Sequence, residues 1–221
     1  MRDETFERPA PCHTWYEKTK TEGHAIARQY QQKGLPLIIA CPHAVIGAND
    51  QSAFGYFLRL YLNKLMPPFS WSTNSCFPLV DVDDLALGLV LAAEKGRDGE
   101  TYIFSGEAKS FREHFSIWHL RPGGSKTLIW LPPRLMAASF WPMEPFQRMV
   151  GLPAFLSRET VRSACTNWGY SSEKAQNELG WTHRTAQQMW FKTIDGELKL
   201  LVKRKKRDLV SRLKPVELDP D

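Results

Sequence analysis

The stretch Leu35-Pro36-Leu37-Ile38-Ile39-Ala40-Cys41 constrains the fold more than any other part of the chain. Unbroken apolarity over such a run is the mark of a strand covered on both faces, as in a parallel sheet with helices on either side. Gly34 closes a helical pattern that runs from about Trp15 to Lys33, and Pro36 stands just beyond it. After the strand, Cys41 to Asp50 reads as an irregular loop, and α/β sheets place ligands in the loops that leave their strands.

The preceding helix carries candidate chemistry. Tyr16 and Lys20 are four residues apart, so they share one helical face and act on the same small volume. A phenol is a poor base at neutral pH, and a fixed ammonium beside it favours the ionised form and moves it toward useful proton transfer. Taken alone the spacing is weak, because a Tyr-x-x-x-Lys pair arises readily by chance in a chain with six tyrosines. Residues 1 to 14, with acids, two prolines and no periodicity, read as a surface loop leading into the helix.

Further along, Phe54 to Met66 reads as a helix ended by Pro67-Pro68, followed by a polar turn. Phe77 to Val82 reads as a short extended segment, with Asp83 or Asp84 capping a helix from Leu85 to Lys95 that Gly96 stops. Asp81, Asp83 and Asp84 also suggest a metal site, but a helix cap explains the same residues and no further ligands stand at motif spacing. Gly99 to Gly106 reads as turn, strand, turn. Arg121 to Thr127 is a turn that lacks the first glycine of a phosphate loop. Leu128 to Trp130 is a candidate strand, and Arg134 to Met149 a helix interrupted at Pro142 and Pro145. The Trp, Met and Phe residues of that region fill a core or lid, or alternatively line an apolar substrate pocket. Ser171 to Trp181 holds a short helix with a glycine stop, and a further helix from about Ala186 to Ile194 has room to continue into the tail.

With 221 residues and 43% apolar content, the chain can bury one sizeable core. Its cysteines, at positions 12, 41, 76 and 165, form no C-x-x-C pair, which fits free thiols in a reduced, cytoplasmic protein. Met1 is followed by charged residues rather than an apolar signal core, and the apolar span Leu128 to Trp141 is broken by Pro132, Pro133 and Arg134. The basic balance sits at the end of the chain, where residues 198–221 hold eight Lys/Arg against four Asp/Glu. Leu198, Val202, Leu209 and Leu213 align on one side of a helix there, a pattern that binds a membrane surface or nucleic acid; a solvated terminus is the plainer reading.

Several blocks then agree with one family. Tyr16-x-x-x-Lys20, the apolar strand 35–41, Pro42-x-x-Val45-x-Gly47, Phe77-Pro78-Leu79-Val80-Asp81-Val82-Asp83-Asp84-Leu85-Ala86, Gly99-Glu100-Thr101-Tyr102-Ile103-Phe104-Ser105-Gly106 and Ser172-x-Lys174-Ala175-x-x-Glu178-Leu179-Gly180-Trp181 occur in order. Their order and spacing resemble the C-terminal part of an extended short-chain dehydrogenase/reductase, of the NAD-dependent epimerase/dehydratase and dihydroflavonol-reductase-like group. The resemblance implies an α/β fold: the C-terminal part of a doubly wound Rossmann-like sheet plus a mostly helical substrate lobe, over residues 1–197, with 198–221 as a basic tail. It implies NAD or NADP as cofactor and a small carbonyl or hydroxyl substrate. Tyr16 would then be the general acid/base, and Lys20 would lower its pKa and hydrogen-bond the nicotinamide ribose. The loop Pro42, His43, Ala44, Val45 would meet the nicotinamide through its backbone, and no metal is implied.

The departures from the family have physical consequences. No glycine-rich pyrophosphate turn occurs in these 221 residues, and neither does the strand-borne Ser or Thr that partners the family's tyrosine. Cys41, Ile46 and Ala48 stand where the family commonly has Arg, Tyr and Pro. Strand 35–41 is then left with one unpaired edge and the first helix with a partly uncovered face, a surface that invites self-association. The alternative to an enzyme is accordingly a non-catalytic interaction module that uses this edge or the basic tail.

Overall fold

The computed structural model describes residues 1–7, 12, 14–66, 68–71, 74–121, 123–125, 129–132 and 165–212, and isolated positions at 135, 138, 145 and 149. Apart from those isolated positions, the helix expected from Arg134 to Met149 lies outside the described residues.

Helix α1 (Trp15–Gln32) starts where the Thr14 hydroxyl accepts a hydrogen bond from the Glu17 N–H, and ends before Gly34 at φ 90°. Strand β1 (Ile39–Pro42) follows, then β2 (Ala44–Ile46) after a one-residue break at His43. Sequence reasoning put an irregular loop at this second strand. Helix α2 (Ala53–Leu62) stops short of Pro67 because Lys64, at φ 59°, closes it: the Lys64 N–H bonds to the Tyr61 carbonyl and the Leu65 N–H to the Leu60 carbonyl. That is a Schellman ending built without glycine, so no glycine betrays it in the sequence. Strand β3 (Phe69–Trp71) occupies the expected polar turn, and β4 (Leu79–Asp81) runs directly into α3 (Val82–Lys95). The cap of α3 is Asp81, whose carboxylate accepts the Asp83 N–H at 2.9 Å. Asp83 and Asp84 instead sit in the first turn, where negative charge complements the helix dipole. Strand β5 (Thr101–Phe104), helix α4 (Phe111–His119), strand β6 (Ile129–Leu131), helix α5 (Glu173–Leu179) and helix α6 (Ala186–Arg212) complete the described elements.

The described strands pair in parallel: β1 with β5, β2 with β4, and β3 with β6. Neighbouring residues of β2 and β4 feed different cores. Ile46 and Leu79 join Leu58, Tyr61, Phe115, Trp118, Trp190 and Ile194 on one side. Val45 and Val80 join Tyr102, Phe104, Leu179 and Trp181 on the other. Successive strand residues point to opposite faces, so apolar cover on both sides explains why these strands are apolar throughout. Among the described residues β1 pairs only with β5, and α1 buries none of its residues; Trp15, Ile26 and Tyr30 on it are all exposed. The N-terminal segment is bound rather than loose. Arg2 bridges to Tyr170, and the Glu4 carboxylate accepts the Ile103 N–H at 2.9 Å on the edge of β5 that faces away from β1.

Helix α3 packs across β1, β2, β4 and β5, with Gly88 against Phe104 and Trp181. A Cβ at Gly88 would stand 2.6 Å from the Phe104 ring and 2.9 Å from Trp181 Nε1, which is itself tied to the Asp84 carbonyl at 2.7 Å. Gly88→Ala in an exposed helix would add about 1 kcal/mol of helix stability. Here the buried rings cannot retreat, so the substitution is expected to destabilise by roughly 1–3 kcal/mol in urea unfolding. A more stable Gly88→Ala protein would contradict this packing.

Candidate active site

The candidate residues lie on two elements, and the register of α1 comes first. Tyr16 and Lys20 lie one turn apart with Lys20 Nζ 5.7 Å from the centroid of the Tyr16 ring. Both are exposed, Tyr16 at 68%. The same side of the helix continues through His24 and Gln31, and these reach the sheet. His24 Nδ1 stands 4.0 Å from Cys41 Sγ, and Gln31 Nε2 donates to the Leu37 carbonyl at 2.7 Å. The helix is therefore fixed through its middle and end, and its first turns carry the phenol and ammonium out to solvent. Burial pushes the Cys41 thiol up, with Glu4 adding to the effect, and burial followed by the nearby Arg28 pulls the His24 imidazole down. Both are neutral near pH 7, so this contact is packing rather than an activated thiolate pair. Sequence reasoning missed it, although His24 lies one further turn along from Lys20.

The second element is the segment 42–50. At His43 the chain changes partners. Its N–H still donates to the Phe104 carbonyl of β5, while Ala44 to Ile46 pair with Leu79 to Asp81 of β4. The break lies just beyond the last residue of β1, Pro42, in register with the last of β5, Phe104, where open parallel sheets bind ligands. Pro42 is exposed and Val45 half-buried. The His43 ring turns inward, edge-on to Phe77 at 5.3 Å between centroids and tilted against Tyr170 at 6.1 Å, and its Nδ1 accepts the Ala44 N–H at 2.7 Å. What the outer surface of the loop offers is thus Pro42 and backbone, not an imidazole.

Beyond Gly47 the loop is held by α6 and α2. A Cβ at Gly196 would meet the Ala48 side chain at 2.5 Å. Glu197, wholly buried, accepts the Asn49 N–H at 2.6 Å and pairs with Arg59 at 3.3 Å. Arg204, two turns on, donates to Asn49 Oδ1 at 3.0 Å. Asn49 itself is left-handed, at φ 65°. None of these residues carries a motif, and only the fold shows that they meet. The aspartates considered for a metal serve elsewhere: Asp81 and Asp84 accept from Arg184, and Lys192 bonds Asp81 and Asp83.

Comparison with known proteins bears on family and fold. Residues 2–104 match the NAD dependent epimerase/dehydratase family. A Synechocystis protein named as a candidate dihydroflavonol 4-reductase is 26% identical over 175 residues, which are 75% of this chain and 49% of that protein. The chain thus spans about half the length of the curated relative it matches. Among solved structures, gox2253 is 25% identical with a TM-score of 0.67, over 90% of this chain and 61% of its own. Bordetella bronchiseptica WbmF, solved with NAD+, is 19% identical with a TM-score of 0.65, over 96% and 62%. The resemblance to the extended short-chain dehydrogenase/reductases therefore holds in sequence and in fold, which is the Rossmann-like α/β fold of the epimerase/dehydratase enzymes.

Beneath the loop lies a pH-sensitive pair. His114 is buried, with Nε2 2.8 Å from the Phe77 carbonyl and Nδ1 accepting the Trp190 indole N–H at 2.9 Å, so its proton sits on Nε2. Burial, the largest cause, brings both His114 and His43 down to about 4 against backbone bonds that pull the other way. Because these pKa values lie below the unfolded value of 6.5, the unfolded chain binds more protons between the two. Stability is accordingly full above about pH 6.5 and is lost as pH falls toward about 4, by at most about 1.4 kcal/mol per unit for each ring. Urea unfolding at pH 7 and pH 5 is expected to show that loss, and equal midpoints would contradict it.

Proposed function

We propose that this chain supplies the proton-transfer and substrate-binding part of an NAD(P)-dependent oxidoreductase or epimerase acting on a small molecule with a carbonyl or hydroxyl group. The observation that carries the reading is the Tyr16–Lys20 pair, held together on a solvent-open face of a helix that is anchored by His24 and Gln31 against Cys41 and Leu37. The phenol of Tyr16 gives a proton to the substrate oxygen or takes one from it. The ammonium of Lys20 stabilises the negative charge that the phenol bears after donating.

The residues fit one end of a nicotinamide cofactor. Lys20 has the reach and charge for a ribose hydroxyl, and the exposed Pro42 with the backbone of the loop, its His43 ring turned away, presents a flat surface to a nicotinamide ring. The bound nicotinamide supplies the hydride chemistry; the chain's own residues position the substrate oxygen and move its proton. These 221 residues hold no glycine-rich turn for the pyrophosphate, so the chain's own grip is confined to the nicotinamide end.

Nicotinamide fluorescence titration tests the division. The chain alone is expected to give no saturable change with NADH or NADPH, and the chain joined to the glycine-rich nucleotide-binding half of a relative is expected to bind and turn over a carbonyl substrate. In that joined form Tyr16→Phe should lower kcat by roughly 10²–10⁴-fold with little change in cofactor affinity. Undiminished turnover by Tyr16→Phe would overturn the assignment.

A further inference from the structure

We infer that the outer half of α6 is a docking surface for an anionic phospholipid membrane. The inner half is locked into the body: Met189, Trp190 and Ile194 are buried, Gly196 abuts Ala48, and Glu197 holds Asn49. Immediately after Glu197 the same helix changes character. Leu198 is 42% exposed and Val202, one turn on, 68% exposed, while Lys199, Lys203 and Arg204 are also exposed. Residues 198–212 carry seven Lys/Arg against one Asp.

An apolar stripe flanked by basic residues is the pattern that lies in a lipid interface, with the aliphatic groups entering the acyl boundary and long cationic side chains reaching the headgroups. The charge is complementary to an acidic leaflet. Nucleic acid would be met by the positive charge alone, leaving Leu198 and Val202 facing water or phosphate. Docking here is at low entropic cost, because the surface is a continuation of a helix already formed and anchored rather than a tail that must order on binding. Among the described residues no helix is long and apolar enough to cross a membrane, so the association is peripheral.

The test is vesicle flotation with the full chain. At about 0.1 M salt it should float with phosphatidylcholine vesicles containing about 30 mol% phosphatidylserine and stay behind with phosphatidylcholine alone, and about 0.5 M salt should release it. Val202→Asp lies on the exposed face, leaves the body and all seven basic residues intact, and should weaken flotation at least about fivefold without moving the melting temperature. Lys203→Glu with Lys206→Glu should weaken it further. Failure to float with acidic vesicles, or flotation indifferent to Val202→Asp, would overturn the inference. So would tighter retention on duplex DNA than on acidic vesicles by both the parent chain and Val202→Asp, which would reassign the surface to nucleic acid.

Discussion

The change of strand partner at His43 is the constraint on which the rest of the structure depends. The chain arrives bonded to β5 and leaves bonded to β4, and both pairings are parallel. Parallel strands need long crossovers, and α3 provides the one that returns from β4 to β5. Because helices cover both faces, alternate residues of β2 and β4 enter two separate cores, which leaves no place in those strands for a polar residue except at the ends. At the break Pro42 stays exposed, the His43 N–H still serves β5, and the imidazole is drawn in against Phe77 and Tyr170.

Two buried carboxylates hold the C-terminal helix to this arrangement. Asp81 caps α3 and receives Arg184 and Lys192; Glu197 receives Asn49 and Arg59. Buried ion pairs add little net stability over well-packed apolar groups, yet breaking one partner typically costs about 3–5 kcal/mol. Their effect is on placement. They allow α6 one seat, and in that seat Gly196, Glu197 and Arg204 fix the loop that follows Gly47.

Much of this was legible in the sequence, for identifiable reasons. The continuous apolar run announced a parallel strand, although the strand forms only at Ile39–Pro42 and is half-buried, because α1 covers it without burying any of its own residues; Gly34 and Gly180 marked helix ends where the backbone is left-handed, and Tyr16 and Lys20 shared a face as their spacing required. The capping box of α4, Ser110 with Glu113, was present as a signature and went unread. Other features left no local trace. Lys64 ends α2 in a conformation usually assigned to glycine, and Asp81 outcompetes Asp83 and Asp84 as a cap because strand and helix meet there without a turn. The grip of Glu197 on Asn49 joins residues 148 apart, and no pattern within either segment reveals it. His43 was expected to lend backbone to the loop surface, and no local pattern showed that its ring packs against Phe77 and Tyr170.

The account's central claim is that Tyr16 and Lys20 act as one unit. A double-mutant cycle on the chain joined to a nucleotide-binding half measures this most directly, with kcat determined for Tyr16→Phe, Lys20→Ala and the pair together. If the two residues serve one proton transfer, the double variant is no slower than Tyr16→Phe alone, within about a factor of two. Losses that multiply would show two independent contributions and contradict the claim.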